Sequence, residues 1–231
     1  MTDLKNTRRG GFYFKARVPH LSITEALRVI NKPQIVYWFG REVYFAMVKD
    51  PTLDERTALS APYLTSKSAM DRGITVHSIV EAFKTSGARL ENVPEQFRGY
   101  ANAFYSFMDA LNPKILEQEK TLFNDEHKIA GTMDMLVKIG NKTHLLDVKT
   151  GKDIYPEVEL QLSAYAFMLR AGGTEVDNIS ALLLETGQDG KPTGNYKLAT
   201  LTENFDAFLA AKKLYEWSNK DKLDKVGYNM G

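Results

Sequence analysis

The chain carries its apolar residues in two rhythms. Up to about residue 113 they recur at spacings of three and four; from 115 to 150 they alternate with polar residues; beyond that the two rhythms take turns. The first rhythm predicts helices. Ser22 and Glu25 have the S-x-x-E spacing of a helix-start capping box, which opens a helix through Val29 that Lys32-Pro33 breaks. Residues 34–48 continue with Val36, Phe39, Val43 and Met47 on one side, and Asp50-Pro51 ends them. After a polar loop, residues 67–84 form a helix with Ile74, His77, Val80 and Phe83 on or near one stripe, terminated at Gly87. Pro94 opens another, with Phe97, Tyr100, Phe104, Tyr105 and Met108 on its apolar side, and Asn112-Pro113 stops it.

The second rhythm predicts three successive strands, 115–123, 128–139 and 143–150, the last two joined by a Gly140-Asn141 turn. A helix over 157–171 ends at Gly172-Gly173. A strand over 179–185, another over 196–201 and a helix over 203–217 follow, and the tail from Ser218 is polar and lysine-rich. This order predicts an α/β (α+β) fold: a central mixed sheet flanked by helices, with an N-terminal helical layer. We expect one domain over 22–231, made of a helical part (22–113), a core (114–217) and the tail (218–231). A basic arm over 1–21 precedes it.

Composition narrows the chemistry. The 231 residues include no cysteine, which excludes disulfides, thiol nucleophiles, cysteine-held zinc and iron–sulfur clusters. The N-terminus has no apolar signal segment and no stretch has the length of a membrane span, so a cytoplasmic protein without a membrane partner is expected. The formal net charge of +1 gives no global sign of a nucleic-acid partner, although a local patch is compatible with it. One candidate patch is the arm, where Lys5, Arg8, Arg9, Lys15 and Arg17 are interleaved with Phe12, Tyr13 and Phe14. A flexible arm that packs its rings on the domain explains the pattern. An arm that sets cations on phosphates and rings on bases explains it too.

The chemistry concentrates in residues 131–151, GTMDMLVKIGNKTHLLDVKTG. Asp147 and Lys149 are i and i+2 on a strand and share a face. The turn at Gly140-Asn141 makes the neighbouring strands antiparallel and brings Asp134 towards Asp147. Two adjacent carboxylates repel unless a cation lies between them. A hard divalent cation suits that position, and a lysine on the same face can orient a metal-bound water or stabilise a phosphorane-like transition state. Taken singly, each element has a plainer explanation. D-x-K can be a surface ion pair, His77 a core histidine, and Gln161 with Tyr165 (i and i+4 on a helix) an incidental pair. Glu119, on the preceding strand, is a third acid of the site or an exposed residue.

Together the motifs change that reading. G-I-T-V-His77, Gly131-T-M-Asp134, Asp147-V-Lys149 and Gln161-L-S-A-Tyr165 occur in this order, each on the element expected for it. The ensemble resembles the PD-(D/E)xK nuclease superfamily, in particular its RecB-like exonuclease branch, from about Gly73 to Ala171. The resemblance implies a restriction-endonuclease-like core. It implies His77, Asp134, Asp147 and the Val148 carbonyl as metal ligands, Lys149 as the catalytic lysine, and Gln161 and Tyr165 as site-lining residues that contact DNA or brace the metal. Glu119 would be an accessory acid.

The implied activity is a Mg²⁺- or Mn²⁺-dependent DNA exonuclease of phage-type or cellular recombination, repair or processing. A metal-activated water would attack in line, and the product would carry a 5′-phosphate. The substrate would be end-bearing DNA, single- or double-stranded, in the cytoplasm (the host's, for a phage-encoded chain). A single-strand-annealing or recombination protein would be a partner by analogy. The absent cysteines separate the chain from cluster-bearing relatives. Two alternatives stay open: a flap or branch endonuclease, and a catalytically idle nucleic-acid-binding module of the same fold. Oligomeric state and digestion polarity are not readable.

Overall fold

The computed structural model describes residues 7–86 and 89–229; Lys5 of the basic run and the helix-terminating Gly87 lie outside them. The chain opens with three short strands, β1 (Thr7–Arg9), β2 (Phe12–Lys15) and β3 (Val18–Ser22), then α1 (Ile23–Ala26) and a 3₁₀ turn (Leu27–Val29). Helices α2 (Pro33–Lys49), α3 (Glu55–Ser86) and α4 (Glu95–Leu111) follow. Next come strands β4 (Lys114–Asn124), β5 (Ile129–Ile139) and β6 (Lys142–Gly151), helix α5 (Glu157–Ala171), β7 (Asn178–Thr186), β8 (Pro192–Leu201), α6 (Phe205–Ser218) and α7 (Lys220–Lys225).

The strands form one mixed sheet in the order β1-β2-β3-β5-β6-β7-β8, with β4 paired to β5. β3–β5 and β6–β7 are parallel, and the α5 crossover joins the second pair. Apolar residues cover both faces. On one face Leu145, Ala181 and Ile129 pack against Leu162, Tyr165 and Phe208 of α5 and α6. On the other, Leu146, Val148 and Leu182 pack against Val76, Tyr100 and Phe104 of α3 and α4. This is the expected mixed sheet flanked by helices. Asn112 ends α4 in the left-handed conformation (φ 42°), which explains why the helix stops before Pro113.

Four local expectations are corrected. Residues 7–22 are strands of the sheet, not an arm outside it; Phe12 and Leu21 are fully buried. Ser22 makes no capping bond. Its hydroxyl meets Thr24, and Glu25 accepts from Tyr215 (2.8 Å) and Lys222 (2.7 Å) far along the chain. The segment before residue 67 is helical from Glu55, because Asp54 accepts from the Thr57 N–H and hydroxyl and so caps α3 twelve residues earlier than its apolar stripe suggests. The polar tail contains α7, whose buried Leu223 returns to the core with Tyr228.

The feature that positions the site is a fork in the sheet. β4 pairs along nearly all of β5. The opposite edge of β5 is shared: β3 pairs with Ile129 and Ala130, and β6 pairs from Met135 to Ile139. Between them Gly131–Asp134 has no strand partner on that edge among the described residues, and α5 covers the gap. Gly131 is required for this fit, since a Cβ there would lie 2.6 Å from the Tyr165 hydroxyl and 2.7 Å from its ring. We expect Gly131→Ala to cost roughly 1–3 kcal/mol of stability by forcing Tyr165 off its seat. In a Tyr165→Ala background the same change should cost less than about 0.5 kcal/mol, so a double-mutant cycle by chemical denaturation that finds the two changes additive removes this contact as the cause.

Candidate active site

The register lines up three acids across neighbouring strands. Met135 faces Leu146 in the β5–β6 ladder, so the next step would oppose Asp134 and Asp147. The pairing stops there. Instead of continuing the ladder, the Asp134 carboxylate accepts the Val148 N–H at 2.7 Å. On the other side of β5, Gln118 pairs with Met135 and Lys120 with Met133, so Glu119 stands opposite Asp134. Glu119 holds a left-handed backbone (φ 49°) inside a strand, a strained state for a side chain of its size. His77 reaches the same point from α3, its Nδ1 lying 3.8 Å from both the Glu119 and the Asp134 carboxylates.

Asp147 is 2% exposed. Its Oδ1 accepts from the Gln161 side chain at 3.0 Å, and its Oδ2 lies 2.6 Å from the Lys149 ammonium. The second approach is an ion pair without hydrogen-bond alignment, so this buried oxygen keeps unused acceptor capacity. Tyr165 lies one turn beyond Gln161 and lines the same cavity, of about 770 Å³, with His77, Glu119, Thr132 and Arg8.

These charges act on one another. Burial, and then the Asp147 charge, push the Asp134 carboxyl up to about 7, against the pull of His77, Lys149 and the Val148 N–H. Burial works against the charged forms of His77 and Lys149. Glu119 and Asp134 outweigh it at His77, Asp147 and Asp134 outweigh it at Lys149, and both pKa values rise. Lys149 is therefore held as an ammonium beside Asp147. Burial, followed by Asp134, raises the Tyr165 phenol well above its usual range and keeps it neutral.

His77, Glu119 and Asp134 could hold a metal ion, since one ligand atom from each lies within 4.8 Å of the others. Asp147, expected among the ligands, sits beside this group and is engaged by Lys149 and Gln161. Val148 contributes its backbone to the fork while its side chain lies in the core. The carboxylate–imidazole donor set, the destabilised Asp134 and the unsatisfied Asp147 oxygen all fit a divalent cation.

Of the four candidate DNA-contacting residues of 7–17, only Arg8 lines the cavity, where it lies over the Tyr13 ring at 5.4 Å. Lys15 is committed to Asp125 at 2.6 Å, and the same carboxylate accepts from buried His20. Arg9 and Arg17 are exposed at β1 and at the β2–β3 turn, outside this lining. Tyr13, named in the sequence only as a ring of the basic run, meets Thr132, which the sequence reading missed, hydroxyl to hydroxyl at 3.3 Å inside the cavity. Thr132 sits between Gly131 and Asp134 and carried no motif signal of its own.

A family model for the PD-(D/E)XK nuclease superfamily matches residues 53–223, and the chain belongs to that superfamily. No curated protein matches it. Among solved structures, LHK-Exo in complex with dAMP is similar at 13% identity over 92% of both chains, with a TM-score of 0.44. LHK-Exo is an alkaline exonuclease from Laribacter hongkongensis. SSO0001 aligns at 14% identity over 90% of this chain and 77% of its own, TM-score 0.42. A phage-related exonuclease from Haemophilus somnus aligns at 10% identity over 68% and 83%, TM-score 0.37. Among the described residues no helix is long and apolar enough to cross a membrane.

The raised Asp134 carboxyl has a consequence for stability. Between about pH 3.8 and pH 7 the folded state keeps a proton that the unfolded chain has lost, so this group lowers stability as pH rises through that window. Asp134→Asn cannot ionise, and its amide oxygen can still accept from Val148. In EDTA the variant should melt close to the parent near pH 4 and above it near pH 7. Thermal denaturation across that range checks this, and a variant no more stable than the parent at pH 7 contradicts it.

Proposed function

We propose that this chain is a divalent-metal-dependent deoxyribonuclease, an exonuclease acting on DNA ends in recombination, repair or processing. The observation that carries the reading is the fork, where Asp134, Asp147 and Lys149 meet with His77 and Glu119 on one side and Gln161 on the other. His77, Glu119 and Asp134, with Asp147 and the Val148 carbonyl beside them, would hold Mg²⁺ or Mn²⁺. When bound, such an ion neutralises charge on a phosphate and lowers the pKa of a coordinated water.

The other roles belong to the chain. The Lys149 ammonium places positive charge where the scissile phosphate gathers negative charge. Gln161 fixes the orientation of Asp147, and the neutral Tyr165 phenol closes the gap between β3 and β6. Arg8 lies at the cavity wall, where a strand phosphate would be met. The order of the four motifs, ending in the Gln161–Tyr165 helix, favours the RecB-like branch and with it exonuclease action.

Digestion of end-labelled linear DNA in Mg²⁺ or Mn²⁺ tests the assignment. Asp147→Ala and Lys149→Ala should each lower kcat/KM at least about a hundredfold. Residual activity equal to the parent in either variant removes the assigned role. Covalently closed circular DNA should stay intact; its cleavage would mean an endonuclease. DNA bound in EDTA with no turnover after metal is restored would mean an idle binding module.

The salt dependence of binding tests Arg8. Losing one phosphate contact should reduce the slope of log K against log salt by about one, so Arg8→Ala should flatten it by that amount. An unchanged slope places Arg8 off the DNA path.

A further inference from the structure

A second cavity, of about 740 Å³, begins at Lys149 and Gln161 and runs away from the acids. It shares Thr24 and Gln161 with the acid-lined cavity, so the two adjoin at the site. Its lining is strongly cationic. Arg28, Lys32, Arg41, Arg72, Lys149 and Lys152 face two carboxylates, Asp153 and Glu157. Glu157 is already paired with Lys32, and Arg28 lies against Glu25 at 3.4 Å.

Arg72 is different. No carboxylate lies within ion-pair reach of it among the described residues, and its buried Nε has no hydrogen-bond partner. It stands where this cleft meets a third cavity of about 1000 Å³, where Lys67 and Lys191 add positive charge while Arg98 is paired with Glu95 at 2.5 Å and Asp71 also lines the wall.

Two aromatic side chains from different elements line the cleft. Trp38 comes from α2 and Tyr155 from the β6–α5 connection. Neither stacks on another ring of the described residues, and Tyr155 is 47% exposed. A cleft of this size is that of a small-ligand pocket. Its volume has room for about two nucleotides of one strand. Cations that track a backbone, with rings free to take bases, are the apparatus for single strands.

We propose that this cleft takes an unpaired nucleic-acid strand as it passes the site, with a base stacked on Trp38 and a phosphate held by Arg72. The inference rests on the nuclease reading for its orientation, since the strand leads to Lys149. It goes beyond that reading in naming a single strand and the residue that selects it. A duplex would have to open before one of its strands entered.

The chain has two tryptophans, and Trp217 on α6 is exposed, so Trp217→Phe leaves Trp38 as the sole reporter. In EDTA, titration of this variant with a short oligothymidylate should quench Trp38 fluorescence saturably. By anisotropy of a labelled oligonucleotide, Trp38→Ala should weaken binding about tenfold, and Trp38→Phe, which keeps a ring, should recover most of it. A blunt duplex of equal length should bind at least about tenfold more weakly than the strand. Absence of quenching, a Trp38→Ala affinity equal to the parent's, or equal duplex binding each overturns the proposal. If Trp38→Ala does not fold by circular dichroism, the quenching and the duplex comparison decide alone. Cleavage after adding Mg²⁺ or Mn²⁺ is read separately. Quenching without cleavage overturns the nuclease reading and leaves this one; cleavage without quenching does the reverse.

Discussion

The arrangement depends on one hydrogen bond, from the Val148 N–H to the Asp134 carboxylate. In an uninterrupted antiparallel ladder a strand N–H meets a carbonyl of its neighbour. Here a side chain takes the carbonyl's place at the step where β5 and β6 part. The substitution satisfies a buried donor and leaves the edge of β5 open at Gly131–Asp134. Everything at the site uses that opening: Tyr165 seats on Gly131, Gln161 reaches Asp147, and His77 approaches from the α3 side.

The opening also concentrates charge at close quarters. Asp134 is pushed up to about 7 by burial and by Asp147, Glu119 adopts a left-handed backbone to face it, and an Asp147 oxygen is left without an aligned donor. Each is a local cost that the hydrophobic cores on both faces must offset. Such costs collected at one point distinguish this place from the paired charges elsewhere, such as Arg170 on Glu203, which satisfy each other. A cation would relieve the charge crowding at Asp134 and take up the free acceptor of Asp147, with Glu119 turned to face the same point. That coincidence argues for a metal more strongly than any one residue type does.

Most of the sheet was legible because its cause is local. Alternation over 115–150, the Gly140-Asn141 turn and the i, i+2 spacing of Asp147 and Lys149 determine register and face without reference to distant residues. The errors arose where distant partners decide. Glu25 looks like a capping residue until Tyr215 and Lys222 arrive from the other end of the chain. Lys15 looks available for phosphate until Asp125 takes it. Residues 7–22 read as an arm because short strands with mixed charge have little periodicity, and their pairing to β5 is set by contacts more than a hundred residues away. At the site, the motif residues were legible and their division of labour was not. Spacing puts Asp147 beside Asp134, and only the structure groups Glu119 with His77 and Asp134 while Lys149 and Gln161 engage Asp147.

α2 raises a different question, since none of its seventeen residues is buried. Its main packing partner among the described residues is α3, and Val36, Tyr37, Tyr44 and Phe45 are turned to solvent. A helix of this length gains little stability from propensity by itself, so its order rests on a narrow contact. Segments of that kind open first and respond most to what binds them. A ligand held between Trp38 and the β6–α5 connection would bridge α2 to the sheet and supply the burial that its own sequence withholds. Binding and the ordering of α2 would then be one equilibrium. The cationic cleft beneath α2 and the unburied helix above it are thus parts of one physical problem, in which charge attracts the strand and the strand completes the wall.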